Sequence, residues 1–151
     1  MLIGTWQVSL DEHGRLVLPA PIRPAFTTGM VITRGFERCL QLCPQSFWQG
    51  LTQRVSRLSL AGTDERWLRR LLFAEASAAL LDDQAAIVIS TALRNYAGLD
   101  RAAVVVGMEQ YLEIWSPERW QDCQTNILAL AGRWSIRDWD VSVPPDNALF
   151  L

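Results

Sequence analysis

The chain contains no lysine: all fourteen of its basic residues are arginine. Arginine offers a planar fork that suits phosphate or guanine edges better than a point charge does, although a genomic preference for arginine over lysine accounts for the composition equally well. Histidine is nearly absent too, with His13 alone in a segment that reads as an exposed turn. No partnered nucleophile, phosphate-cradling glycine loop or metal-ligand spacing accompanies it, so the inventory does not make a convergent catalytic set. The chain is read as a non-enzyme with no cofactor, no metal and no small-molecule substrate. The three cysteines, Cys39, Cys43 and Cys123, are odd in number and lack Cys-x-x-Cys spacing, which argues against both a disulfide framework and a zinc site. Cys39 and Cys43 fall on one face of a predicted strand and read as core. No apolar run approaches the ~20 residues of a membrane helix, and the N-terminus lacks a basic segment followed by an apolar one. A cytoplasmic protein without a membrane partner is expected.

With half of its 151 residues hydrophobic and 20% charged, the chain can bury a core of its own. Its net charge of −2 and pI near 5.4 are unpromising for a nucleic-acid binder, but the average hides an asymmetry. Residues 1–57 carry six arginines against Asp11, Glu12 and Glu37, a net +3, while the remainder carries eight arginines against thirteen carboxylates, a net −5. A locally basic module can steer a polyanion whatever the total.

The most informative stretch is Ser9 to Arg23. Trp6, Val8 and Leu10 alternate with polar residues, and Leu16 and Leu18 resume period two, so both flanks read as half-buried strands. Asp11 to Gly14 reads as the turn between them, with Asp able to bond its own backbone and Gly able to take positive φ. Pro19 ends the second strand, Ala20 to Phe26 gives a turn or two of helix shortened by Pro24, and Met30–Thr33 and Cys39–Leu42 read as two more strands. Four short strands around one small helix cannot close a core alone; interlocking with a second copy solves the problem.

The chain supplies that copy. Laid against itself in one register, the sequence sets Leu10-Asp11 over Leu81-Asp82, Leu16-Val17-Leu18 over Ile87-Val88-Ile89 and Arg23 over Arg94. Slipped by a single further position, it sets Gly35 over Gly107, Leu40-Gln41-Leu42 over Leu112-Glu113-Ile114 and Trp48 over Trp120. This is a tandem duplication. Between the copies, helices are predicted from Ser46 to Leu58 and from Asp64 to Leu80. The second has Thr63 as N-cap, a buried stripe of Trp67, Leu71, Ala74 and Ala78, and a basic face of Arg66, Arg69 and Arg70 that reads as solvated. A third helix begins with Ser116 as N-cap and Pro117 at its first position, with Trp120, Cys123, Ile127 and Leu130 as its buried stripe and Gly132 near its end. The remaining tail, from Arg133, has no counterpart in either copy and is expected to be partly disordered or to pack on a neighbouring subunit.

Leu-Asp-x-x-Gly-Arg-Leu-x-Leu-Pro-x-x-Ile-Arg from Leu10 to Arg23, the weaker second copy, and Glu113-Ile114-Trp115 within it together resemble the MraZ family over residues 1 to 131. The resemblance implies an α+β fold in which two pseudo-symmetric β-β-α-β-β modules of swapped-hairpin (SpoVT-AbrB) type interlock into one double-split β-barrel with additional packing helices. The expected division is a DNA-contacting module at 4–47, linking helices at 48–78, a degenerate module at 79–120, and a C-terminal helix and tail at 121–151. The resemblance further implies a sequence-specific transcriptional regulator of division and cell-wall genes, nucleoid-associated, that binds short tandem promoter repeats in double-stranded DNA as a homo-oligomeric ring. Its expected DNA-binding residues are Asp11, His13, Gly14, Arg15 and Arg23.

The second copy departs from the family pattern, with Ala85-Ala86 where the first has Gly14-Arg15 and with Ser90 in place of Pro19. Residues 80–120 carry three arginines against six carboxylates. This module is read as supporting fold and assembly, leaving DNA contact to the first. Asp11 and Arg15 are expected to pair across the turn, with Gly14 letting the backbone approach DNA closely. The competing reading is an assembly or protein-interaction module that kept the fold and lost DNA binding. What separates the two is whether Arg15 and Arg23 share an exposed basic surface or are buried in pairs with acids.

Overall fold

The computed structural model describes residues 1–134. Two units are distinguished, Met1–Trp120 and Gln121–Leu151. The first holds eight strands, three whole α-helices and two 3-10 helices: β1 (Thr5–Ser9), β2 (Arg15–Val17), a 3-10 helix at Ala20–Phe26, β3 (Met30–Arg34), a 3-10 turn at Phe36–Arg38, β4 (Leu40–Pro44), α1 (Gln45–Ser56), α2 (Thr63–Phe73), β5 (Ser77–Ala79), β6 (Ala86–Val88), α3 (Thr91–Ala97), β7 (Ala102–Gly107) and β8 (Leu112–Trp115). The last helix, α4 (Pro117–Ala131), begins in the first unit and runs into the second.

The strand order shows how the duplication solves the core problem. Six strands form one antiparallel sheet in the order β1-β7-β8-β4-β3-β5, and β2 and β6 form a separate two-stranded ribbon. Exchanging each strand for its counterpart in the other copy reverses this order onto itself, as a pseudo-twofold requires. Leu40 faces Ile114 and Leu42 faces Leu112, with Gln41 opposite Glu113 between them; in the ribbon Leu16 faces Ile87. Those two central pairs mark the axis. Neither copy pairs its own first two strands. β1 goes to β7, β5 to β3, and the ribbon takes one strand from each copy, so every sheet requires both modules and the modules are interlocked. The expected barrel is not closed: the sheet ends at β1 and β5, and β2 and β6 pair apart from it. The stretch from Ser9 to Leu16 is thus a swapped arm, which folds back on itself through the turn at 11–15 and the β-bridge between Leu10 and Leu16.

Between sheet and ribbon lie Leu16, Leu18, Phe26, Ile32, Leu40, Leu42, Ile87, Ile89, Leu93, Val105, Leu112 and Ile114, all essentially inaccessible. Cys39 and Cys43 are buried, and burial pushes the Cys43 thiol up to about 12. Both belong to the packed interior.

The two small helices differ for a reason written in their first residues. Pro21 and Pro24 deprive the first copy of backbone donors, and it forms a 3-10 helix without a side-chain cap. In the second copy Ser90, in the place of Pro19, accepts from Leu93 N at 3.3 Å, and Gly98 closes the helix at φ +65°, giving a capped α-helix. Ser116 likewise accepts from Arg119 N at 3.3 Å and opens α4.

Four expectations about α2 and the segment after it are corrected. Helix α2 ends at Phe73, not Leu80, because Ser77–Ala79 is recruited as the strand β5 that pairs with β3. Its first residue is Thr63, with Gly62 at the cap position and no side-chain cap bond. Its inward face runs through Leu68 and Leu72, leaving Trp67 62% exposed beneath Arg70, whose guanidinium lies 4.9 Å from the indole centre. Nor is the basic face simply solvated. Arg69 donates to Ser56 O and Leu58 O at 3.0 and 2.9 Å, and Arg66 to Leu60 O and Ala61 O, so these side chains satisfy carbonyls at and beyond the end of α1. Arg34 does the same for α2, donating to Leu71 O and Arg70 O at 3.1 and 3.0 Å.

The stripe foreseen on α4 has helical spacing but is not buried. Ile127, Leu128 and Leu130 are 42%, 75% and 42% exposed. Of the tail, residues 135–151 lie outside the described residues, and so does the expectation made for them. Among the described residues no helix is long and apolar enough to cross a membrane.

Candidate nucleic-acid interface

The two copies of the turn, 11–15 and 82–86, are built bond for bond alike. In the first, Gly14 N donates to Asp11 O at 3.1 Å and Asp11 N to Arg15 O at 3.0 Å, while the Asp11 carboxylate accepts from His13 N and Arg15 N, both at 2.9 Å. In the second, Ala85 N donates to Asp82 O and Asp82 N to Ala86 O, and the Asp82 carboxylate accepts from Gln84 N and Ala86 N at 2.8 and 2.9 Å. The backbone donors hold both carboxylates below the usual aspartate range, with Arg15 N leading at Asp11 and Ala86 N, then the Arg15 side chain, at Asp82. Each turn also accepts a bond from the other copy: Ile89 N reaches Gly14 O and Leu18 N reaches Ala85 O, both at 2.9 Å.

Gly14 sits at φ +78° and Ala85 at +59°. The second turn therefore keeps the left-handed residue while carrying a methyl group there. At Gly14 a methyl has no room: it would stand 2.5 Å from Ile89 O and 2.7 Å from the Arg94 Nε. The close approach that Gly14 permits within this structure is to the other module's Ile89 carbonyl and Arg94 side chain.

The ribbon carries the turns outward. Leu16 and Ile87 point into the core, while Val17 and Val88 are 42% and 62% exposed on the outer face. Arg15 stands opposite Val88 on this face. Its guanidinium does not pair with the Asp11 carboxylate as foreseen. It reaches across to the other module, where Nε and Nη2 donate to Asp82 Oδ2 at 3.3 and 2.9 Å and Nη2 donates to Gln84 Oε1 at 2.7 Å. The reason is the swap itself: the neighbour of an arm's arginine is the partner copy's turn. Ala86 occupies the position symmetric to Arg15, so among the described residues no arginine of the other copy bonds the Asp11 carboxylate.

His13 is exposed at the tip, its Nε2 3.4 Å from Glu12 Oε1. Arg23 is half-buried and donates through Nε to Leu18 O at 2.8 Å. Its counterpart Arg94, which the sequence reading aligned with Arg23 but did not count among the contacts, lies against Gly14 and donates to Thr91 Oγ1 at 3.2 Å. The register that superposes the two copies was the signal for it. The surface thus gathers Arg15, Arg23 and Arg94 around two turns that also bear Asp11, Glu12, Asp82 and Asp83. Of the two arginines chosen to discriminate the readings, Arg15 is paired with an acid at a partly exposed site (29% for Arg15, 48% for Asp82), and Arg23 is held by a carbonyl rather than by a carboxylate. Among the described residues no group of three or more His, Cys, Asp or Glu side chains could hold a metal ion.

Comparison with known proteins places this geometry. The sequence model of the family described as MraZ protein matches twice, over residues 1–71 and 72–131. The chain is 46% identical over 132 residues to the transcriptional regulator MraZ of Thermomicrobium roseum, covering 87% of this chain and 92% of that protein. It is 45% identical over 121 residues to the protein of that name from Herpetosiphon aurantiacus (80% and 85% covered) and 43% identical over 122 residues to that of Roseiflexus castenholzii (81% and 85%). The relatives' name is that of a regulator, not of an enzyme class. With two module matches spanning most of its length and relatives of this identity, the chain belongs to the MraZ family.

Proposed function

We propose that this chain is a transcriptional regulator that binds double-stranded DNA through the turn and ribbon surface of its first module, residues 4–47, while the second, residues 79–120, supports fold and assembly. The observation that carries this reading is the side-by-side presentation of two turns on a two-stranded ribbon with Arg15 on its outer face, a kind of element that the major groove of DNA admits. Asp11 shapes the turn, Gly14 seats it, His13 and Arg15 reach outward, and Arg23 flanks it. The targets are short tandem repeats in the promoters of division and cell-wall genes, and the site of action is the cytoplasmic nucleoid. One module offers few arginines against several carboxylates and binds weakly alone. A homo-oligomeric ring presents several at high effective concentration, which makes the total tight.

A second reading, a fold-retaining assembly module without DNA binding, is favoured by one observation: Arg15 is paired with Asp82. Titration of a fluorescent duplex bearing the DNA upstream of the chain's own gene, at several salt concentrations, separates the two. Steep salt dependence for the wild type, with Arg15→Ala losing affinity and about one unit of slope per engaged subunit, supports the regulator. Binding no tighter than to unrelated DNA, unchanged in Arg15→Ala, overturns it.

A further inference from the structure

Arginine recognises phosphate or guanine best through two parallel N–H donors, and its guanidinium has two accessible edges that provide such a fork. One edge is Nε with the η nitrogen on its side, and the other is the pair of η nitrogens. In Arg15 the first edge is taken by Asp82 Oδ2, bonded by both Nε and Nη2, and the second is blocked because Nη2 also donates to Gln84 Oε1. Among the described residues only Nη1 is left, and Nη1 alone cannot complete a fork. Both blocking groups come from the copy of the turn that lost its own arginine.

We propose that Asp82 and Gln84 act as a brake on Arg15: in the free protein they hold its guanidinium closed, and DNA engages it only by displacing one or both. This deepens the DNA-binding reading and rests on it. The pseudo-symmetry argues that the brake is one-sided. Asp11 makes the same two backbone bonds as Asp82, but Ala86 stands at the position symmetric to Arg15, so among the described residues no arginine of the other copy bonds its carboxylate. Asp82 and Gln84 are thereby positioning residues acting through Arg15. The degenerate module, besides supporting the fold, sets how readily the first module engages its ligand.

The brake is also placed to be released. The Arg15 and Asp82 side chains are 29% and 48% exposed, so water and a phosphate can compete for the guanidinium, and an exposed ion pair of this kind is individually weak. A phosphodiester approaching the ribbon face offers Arg15 a second anionic acceptor while being repelled by Asp82, so the exchange is driven from both sides.

Asp82→Asn is the direct test, because the amide oxygen still accepts from Gln84 N and Ala86 N while the charge on Oδ2 is gone. Gln84→Ala is a second test; Gln84 is exposed, and among the described residues its side chain bonds to Arg15 alone, so folding is not at stake. Affinity for the duplex upstream of the chain's own gene is measured at several salt concentrations for these variants, for Asp11→Asn, for Arg15→Ala and for the double variant Arg15→Ala/Asp82→Asn. Removing any carboxylate from this surface tightens DNA binding somewhat, and Asp11→Asn reports that general effect. The brake predicts that Asp82→Asn tightens binding about threefold more than Asp11→Asn, that Gln84→Ala tightens it in the same direction, and that the excess vanishes in the Arg15→Ala background. Equal effects of Asp82→Asn and Asp11→Asn, or an excess that survives without Arg15, overturn the brake and leave DNA binding intact. Weaker binding in Asp82→Asn also overturns it, showing that Asp82 steadies Arg15 for contact. Binding no better than to unrelated DNA by every variant, Asp82→Asn included, overturns the brake and the regulator reading together.

Discussion

Gly14 and Ala85 are one position seen twice, and the comparison isolates what each residue contributes. Both sit in the left-handed region, where a side chain costs roughly 1–2 kcal/mol. At Gly14 a methyl group would in addition press on a backbone carbonyl at 2.5 Å, which has little freedom to retreat. Gly14→Ala is therefore expected to destabilise the fold by about 2 kcal/mol or more, and Ala85→Gly to stabilise it by up to about 1 kcal/mol, the relief of strain being partly offset by the greater freedom glycine has in the unfolded chain. Urea denaturation of the two variants checks both signs; equal effects at the two sites would refute the asymmetry. The sequence marked Gly14 as a turn glycine but could not show what lay beside it, since Ile89 and Arg94 arrive from the other copy, half the chain away. Arg15 hid its partner for the same reason. Asp11 lies one short turn away and looked the natural mate, whereas the chain swap brings in Asp82.

At the scale of elements, the register between the copies carried most of the fold. Every strand of one copy has its counterpart in the other at a nearly constant offset, and β5 is the instructive exception in the reading. Ser77–Ala79 continues a helical pattern and has no strand propensity of its own, yet the register that lays Leu10 over Leu81 also lays Trp6–Val8 of β1 over this segment. Pairing with β3 decides its conformation, so tertiary context overrides local preference. On the pseudo-twofold axis, Glu113 of β8 faces Gln41 of β4 and accepts from Trp115 Nε1 at 2.9 Å. Burial raises its carboxyl above the ordinary 4.5, so its ionised form opposes folding at neutral pH, and that cost disappears as pH falls through the raised value toward 4.5. Asp11 and Asp82 run the other way: their values are lowered, so their contribution is fully present above 3.8 and is lost as pH falls through the lowered values. Thermal unfolding should thus show stability holding or rising slightly from pH 7 toward 4.5 and falling below 3.8. Glu113→Gln, which can still accept from Trp115, should be more stable at pH 7 by less than about 1 kcal/mol after solvent screening, with the gain absent near pH 4. A gain independent of pH would assign the effect to packing rather than to the charge.

For the whole molecule, the ring remains a proposal, and α4 supplies its most direct test. A helix with apolar residues at 123, 127 and 130 is amphipathic by period, and such a stripe ordinarily faces a core. Here no residue of α4 is buried, and Leu128 widens the apolar surface to a patch that includes Ile127 and Leu130. Periodicity reports that a face wants covering and is silent on what covers it, which is why the stripe was legible and its burial was not. Contiguous exposed apolar surface of this kind marks association. Replacing Ile127 and Leu130 together by glutamate is expected to lower the mass measured by light scattering toward that of a monomer. The same variant should leave the unfolding free energy of the dissociated chain within about 0.5 kcal/mol of the wild type, because surface substitutions away from buried features rarely move it further. In DNA titrations it should lose affinity out of proportion to its unchanged ribbon surface, since the modules no longer act at high effective concentration. Unchanged mass would show that assembly does not use this face. Loss of folding without prior dissociation would show that the face is covered within its own chain.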